Sequence, residues 1–287
     1  MRFGILYANT GHAVTPEGAT ALATIAEENG FESLWTVEHV VVPADYQSAY
    51  PYSPTGKMPG AEESPIPDPL IWLTWVAAAT RTLRVATGIL ILPQRNPVVL
   101  AKELATLDML SGGRLTLGVG VGWLREEFDA LGVPFDDRGR RTDEHIEVLR
   151  ALWREPETTY RGDFVRLDRV KSYPKPAQAG GIPIAVGGHS PAAARRAGRL
   201  GDEFFPAVAG LDQLRHLVDV MRAAAEEAGR DPASIGITAG GAPSVEEVKR
   251  LADLGVTRMV IPNLGGDPDK WKARLGSFSE TVIAAVG

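Results

Sequence analysis

The chain has 287 residues, 44% of them hydrophobic, a formal charge of −6 and no cysteine. Disulfides, a thiol nucleophile and thiolate metal sites are thereby excluded, and acidity spread along the chain argues against a nucleic-acid partner. No apolar run approaches the ~20 residues of a membrane span, and the N-terminal MRFGILYANTG is too short for a signal peptide, so a soluble cytoplasmic protein is expected.

Residues 2–8 (RFGILYA) read as a first strand. Residues 15–30 read as a helix that Thr15 caps, Pro16 opens and Gly30 stops. FESLWTVEH (31–39) is a second strand. A helix over 67–80 opens on Asp68-Pro69, a strand follows at 83–93, and a helix over 96–113 starts at Asn96-Pro97 and ends on two glycines. Residues 114–122 form a fourth strand. Helical pattern resumes from Trp123 and again over 143–155, and 158–168 reads as a hairpin around Gly162-Asp163. Strands at 182–188, 203–209, 234–243 and 256–266 then alternate with helices, the last of which runs to Val286.

Eight strands, each followed by helix, imply parallel pairing with right-handed crossovers. The economical α/β architecture is a closed (β/α)8 TIM barrel over residues 1–287, with a doubly wound open sheet as the alternative. Two segments are in excess: 40–67 after strand two and 132–181 after strand four. Both exceed the usual ~2–6 residues of such a loop and, on the active face, are candidate lids. The first carries Tyr46, Tyr50, Tyr52 and Met58, suited to a flat substrate; an Ω-loop packed on its own aromatics explains them equally.

In a barrel, functional residues come from the C-terminal ends of strands. Glu38 and His39 stand where strand two should end, and strand alternation puts Trp35, Val37 and His39 on one face. If that face points inward, His39 reaches the mouth and can exchange a proton near neutral pH. Glu38 then anchors a polar cofactor edge or fixes local backbone. Gly88 interrupts an apolar strand, which suggests a bulge, a close ligand approach or tight packing at a barrel corner. Gly118, Gly120 and Gly122 repeat at period two, leaving one face bare for a planar ring or a phosphate. They do not form the G-x-G-x-x-G dinucleotide fingerprint. Gly187, Gly188, His189 and Ser190 pass from strand to helix, either as a phosphate cup at a helix N-terminus or as a plain capped turn. Arg138, Arg140 and Arg141 could meet an anionic tail or simply be solvated. The five histidines show no metal-ligand spacing, and no G-x-S-x-G elbow occurs.

Taken together, SLWTVEH, LRVATGILILPQRNPVVLAKELATLDMLSGGRLTLGVGVGW, EEFDALGVPFDDRGRRTDE, LRALW and IPIAVGG resemble the luciferase-like monooxygenase superfamily, and within it the oxidoreductases that use the deazaflavin coenzyme F420. The resemblance runs from the first strand to about residue 205. It implies a (β/α)8 barrel, a homodimer through helices 68–80 and 96–111, and a non-prolyl cis peptide at Gly88-Ile89 behind the cofactor ring. It implies proton transfer by His39, ring contact by Glu38, a cofactor wall of Gly120, Val121, Gly122 and Trp123, and a phosphate turn of Gly187, Gly188 and His189. The expected activity is hydride transfer between coenzyme F420 and a small organic substrate. A flavin mononucleotide (FMN) monooxygenase and a cofactor-free ligand-binding barrel are the alternatives. Family members acting on sugar phosphates carry a carboxylate just after the strand-four glycines. Trp123 stands there instead, which favours a more apolar or aromatic substrate. Where many members read Asp-Gly-Trp, this chain has Asp202-Glu203-Phe204.

Overall fold

The structure, a computed structural model, describes every residue except Ala209, Ala242, Pro243, Leu264 and Gly287. The expected strand ends at 209 and 243, and position 264 within the last expected strand, lie outside the described residues. Eight strands form the wall: β1 Arg2–Leu6, β2 Ser33–Thr36, β3 Arg84–Thr87, β4 Leu115–Gly120, β5 Ile184–Gly188, β6 Glu203–Pro206, β7 Gly236–Gly240 and β8 Arg258–Pro262. Neighbours in the chain are neighbours in the sheet, and every pair is parallel. β8 returns to β1, with Arg2 opposite Arg258 and Leu6 opposite Pro262. That closure excludes an open sheet.

The helices are α1 Pro16–Glu28, α2 Pro69–Ala79, α3 Pro97–Ser111, α4 Arg125–Ala130, α5 Arg138–Arg154, α6 Pro191–Leu200, α7 Leu211–Glu227, α8 Val245–Asp253 and α9 Pro268–Phe278. The expected start signals are in place. The side chains of Thr15, Asp68 and Asn96 accept N–H groups of the first turns of α1, α2 and α3. α3 ends on Gly112 in the left-handed region (φ 67°), which a residue without a Cβ adopts without strain. The chain then turns through a π-helical stretch, Ser279–Ile283, before its last residues.

Inside the barrel, Trp35, Ala86, Ala185, Phe205 and Val260 form a small inner cluster, with Trp35 edge-on to Phe205 at 5.5 Å. The larger core lies between the wall and the helices. The N-terminal end of the barrel is plugged by charge. Arg258, 1% exposed, donates two 2.9 Å hydrogen bonds to Glu32, pairs with Glu203 and donates to Thr238 at 3.2 Å. A buried guanidinium is tolerable only when its donors are satisfied, as these are.

The second insertion folds as an antiparallel hairpin, Thr158–Arg161 with Arg166–Val170. The Glu144 carboxylate, from α5, accepts the N–H groups of Asp163, Phe164 and Val165 at 2.8, 2.9 and 2.6 Å and so seats the turn. Among the described residues, no helix is long and apolar enough to cross a membrane.

Candidate active site at the C-terminal mouth of the barrel

The C-terminal ends of the strands form the rim of the mouth. Below the rim the wall is buried, whereas Gly88, Ile89, Val121, Gly122, Trp123, Gly187, Gly188 and His189 are all half-buried at this end of the barrel. The structure brings these sequence-predicted residues together on one end of the fold, with His39 among them.

Three glycines expected to leave a bare face do something else. A Cβ at Gly118 would lie 1.8 Å from the Thr87 carbonyl oxygen, and one at Gly120 would lie 2.5 Å from Ile89 Cδ1. One at Gly122 would meet Phe128 and Ile91 at 2.6 and 2.8 Å, and Gly122 itself turns with φ +80°. The space beside Gly118 and Gly120 is therefore filled by the protein's own third strand and that beside Gly122 by Phe128 of α4 and Ile91, so the face expected to be bare is covered. The cause lies in β3. Ala86 faces Thr116 but Leu90 faces Val119, so one extra residue is accommodated on the β3 side of the ladder. The Gly88–Ile89 peptide there is cis. Ile89 drops its side chain between Gly120 and Gly187, whose added Cβ would lie 2.6 Å from Ile89 Cγ2. At Gly88 itself an added Cβ would crowd Leu6 and Trp35 at 3.1 Å each, so that glycine answers to packing inside the barrel. Ile89, half-buried, fills the space that Gly120 and Gly187 leave.

β2 leaves the sheet after Thr36, earlier than its apolar run suggested. Beyond it the chain is bracketed by Asn9, which accepts Val37 N–H at 2.9 Å and donates to the Val37 and Pro67 carbonyls at 2.9 and 3.1 Å. The next two side chains go opposite ways. Glu38 is turned into the wall: its side chain, 1% exposed, pairs with Arg95 and accepts Ile91 N–H at 2.5 Å. Arg95 also bonds Asp68 at 2.9 Å. Of the two roles expected of Glu38, its contacts are those of the second, fixing local backbone, because both of its oxygens are engaged in holding the strand-three loop. Burial pushes its carboxyl up, against the opposing pull of Arg95 and the Ile91 N–H.

His39 turns toward the mouth. Its Nδ1 lies 3.0 Å from Glu127 Oε2, and its ring is edge-on to Trp123 at 5.7 Å. The side chains of His39 and Glu127 are 9% and 0% exposed. The second oxygen of Glu127 accepts Val40 N–H at 2.7 Å and Val41 N–H at 3.3 Å. Glu127 was not read from the sequence, where it is one of two acids in the first turn of α4, a common feature of helix starts. Its neighbour Glu126 accepts Gln47 N–H at 2.7 Å, Ser48 N–H at 3.0 Å and the Ser48 hydroxyl at 2.7 Å. These bonds, the Ser48 hydroxyl first, hold its carboxyl down at about 2.

Glu126 thereby ties the first insertion across the mouth. Tyr46, Tyr50 and His39 all meet Trp123 edge-on, at 5.5, 5.1 and 5.7 Å. Tyr52 contacts Tyr50 at 5.3 Å and His189 at 5.0 Å. The Tyr46 hydroxyl accepts Met58 N–H at 2.8 Å, and Lys57 Nζ sits 4.0 Å over its ring. Burial, then the nearby hydroxyls of Tyr7, Tyr52 and Tyr46, raises Tyr50 above the ordinary phenol range, so it stays a neutral donor. The loop packs on its own aromatics and on Trp123 and His189.

Opposite His39, Ser190 caps α6 by accepting Ala193 N–H at 3.2 Å, and Gly188 turns with φ +136°. His189 Nδ1 is buried there without a hydrogen-bond partner among the described residues. Of the three arginines, Arg138 donates to the Gly122 carbonyl at 3.3 Å and stacks on Phe135 at 3.8 Å. Arg141 pairs with Asp137 and lies over Phe164 at 4.2 Å. Arg140 pairs with Asp163 on the surface. They brace α5 and the Gly122 turn.

Residues 1–264 match the family model described as luciferase-like monooxygenase. The chain belongs to that family. An uncharacterized protein of Mycobacterium tuberculosis is 34% identical over 274 residues, covering 92% of this chain and 94% of the relative. An F420-dependent glucose-6-phosphate dehydrogenase of Kineococcus radiotolerans is 31% identical over 80% of this chain and 64% of its own length. An FMNH2-dependent dimethylsulfone monooxygenase of Pseudomonas fluorescens is 39% identical over 56% of this chain and 44% of its own length. The fold is that of an F420-dependent secondary alcohol dehydrogenase solved with an F420–acetone adduct, at a TM-score of 0.80 over 100% of this chain and 99% of that one, with 20% identity. The luciferase-like family thus includes relatives of both cofactor types.

Proposed function

We propose that this luciferase-like protein is an oxidoreductase that moves a hydride between the deazaflavin coenzyme F420 and a small organic substrate, with His39 exchanging the accompanying proton. The observation that carries the reading is the His39 imidazole at the barrel mouth, one ring nitrogen held by buried Glu127. The residues fit the coenzyme at two places. Half-buried Ile89 offers an apolar floor for a flat ring. At the Gly187–Gly188 turn the orphaned His189 Nδ1 lacks a partner that an anionic tail or its bound water would supply.

When bound, the coenzyme supplies the hydride-exchanging ring carbon. The chain does the rest: Ile89 supports, Val121, Gly122 and Trp123 form a side wall, and Gly188 and His189 hold the tail. Trp123 and the tyrosine loop exclude water, which strengthens every polar interaction beneath them. His39 exchanges the proton at Nε2. Trp123 occupies the place where a sugar-phosphate enzyme needs a charged group, so the substrate is apolar or aromatic. A second copy of the chain covers α2 and α3, where Ile71, Trp75, Val99 and Leu110 are 75, 53, 55 and 71% exposed.

The deciding experiment is a titration of the purified chain with coenzyme F420 and, separately, with FMN, followed by tryptophan fluorescence. Tighter binding of F420 is expected. Tighter binding of FMN overturns the reading in favour of a flavin monooxygenase, and no quenching by either leaves a cofactor-free binding barrel.

A further inference from the structure

We propose that Glu127 is a positioning residue that fixes the tautomer of His39, so that the neutral imidazole presents an unprotonated Nε2 to the barrel mouth. This rests on the reading of His39 as the proton-exchanging group and deepens it by assigning which nitrogen carries the hydrogen.

A carboxylate has acceptors only. Glu127 Oε1 is engaged by the N–H groups of Val40 and Val41, and Oε2 faces His39 Nδ1 at 3.0 Å. Nδ1 must therefore donate. A neutral imidazole has one N–H, so Nε2 is left with its lone pair. No hydrogen bond to Nε2 is made by any described residue, and that atom is not sealed in the interior. The Glu127 side chain is fully buried, so water does not compete for the pair. A ligand that meets the neutral ring must bring a hydrogen, as a hydroxyl or an amine does. A carbonyl oxygen meets a lone pair instead, and is bound only after the ring has taken up a second proton.

The two backbone donors make a one-atom test possible. In Glu127→Gln the oxygen of the amide must face Val40 and Val41, because an NH2 group cannot accept their hydrogens. The NH2 group then faces Nδ1, which must accept, and the ring hydrogen moves to Nε2. The variant keeps the shape of the side chain and inverts the tautomer. Nitrogen-15 NMR of histidine-labelled full-length protein without cofactor reads this directly, at a pH high enough to leave the ring neutral. His39→Gln identifies the His39 signals by their loss. The wild type is expected to show a protonated Nδ1 and a bare Nε2, and Glu127→Gln the reverse. A wild-type ring with its hydrogen on Nε2, or a folded Glu127→Gln variant with the wild-type pattern, overturns the inference. If that variant fails to fold, the wild-type spectrum still decides. The measurement needs no cofactor: failure to bind F420 would sink the proposed function and leave this assignment standing.

Discussion

At His39 the chain has left the β2 ladder, so Asn9 holds the backbone at Val37 and Glu127 holds the ring, rather than sheet neighbours. General acid–base groups typically contribute ~10²–10⁴-fold. His39→Ala is expected to lose turnover on that scale while binding cofactor as before; steady-state kinetics with unchanged turnover would remove the role. Glu38 calls for a different measurement, because its carboxylate joins β2 to the strand-three loop through Arg95 and the Ile91 N–H. Hydrogen bonds to charged groups contribute about 1.5–3 kcal/mol. Glu38→Gln is expected to lower unfolding stability by about that much in a urea titration. Sequence ran β2 to residue 39, whereas Glu38 and His39 lie just beyond its end at Thr36. Alternation pointed to His39 as the one at the mouth, although it was projected along a strand that stops at Thr36. It could not reveal Glu127, which meets His39 across 88 positions of the chain.

Among the elements, α4 has the greatest influence for its length. Its two adjacent acids hold different things: Glu127 the start of the first insertion, Glu126 the segment around Ser48. Glu126 has its carboxyl depressed from 4.5 to about 2. A depressed acid stabilises the folded arrangement above its unfolded value and loses that contribution as pH falls through the folded one. The tie between α4 and the loop is therefore expected to weaken as pH drops from 4.5 toward about 2. Limited proteolysis within 44–58 across that range would detect the release. In Glu126→Gln the cleavage rate should no longer depend on this acid; a variant retaining the full wild-type pH dependence would show that another group controls the loop. Caps, turns and strand order were legible because they are local. Thr15, Asp68 and Asn96 each act within three residues of themselves. The partners of the tyrosines in 40–67 were not, since tyrosines say nothing about what they will pack against until Trp123 is brought opposite them.

Across the whole molecule, the two ends of the barrel carry opposite assignments. The Arg258, Glu32 and Glu203 plug closes the N-terminal end with every charge paired. Removing one partner of a buried pair typically costs about 3–5 kcal/mol. Arg258→Ala is expected to lower the melting temperature sharply while leaving cofactor affinity of the folded fraction unchanged; a variant as stable as the wild type would mean the plug is dispensable. Assembly is testable at the same scale. If α2 and α3 meet a second copy, Ile71→Asp with Leu110→Asp should convert a dimer to a monomer by light scattering. A wild type that is already monomeric would dismiss the interface. Parallel strand–helix order was readable from alternation, which left closed barrel and open sheet both standing until β8 met β1, and the fit at the mouth depends on three strands at once.

That fit limits how the mouth can vary. Ile89 is a peg seated in two sockets, one on β4 and one on β5, and neither socket has room for even a methyl group. A change at position 120 or 187 would therefore push the peg out of its seat. A smaller residue at 89 would clash with neither neighbour. Of the three interlocked positions, the peg alone can shrink, while its two supports are fixed.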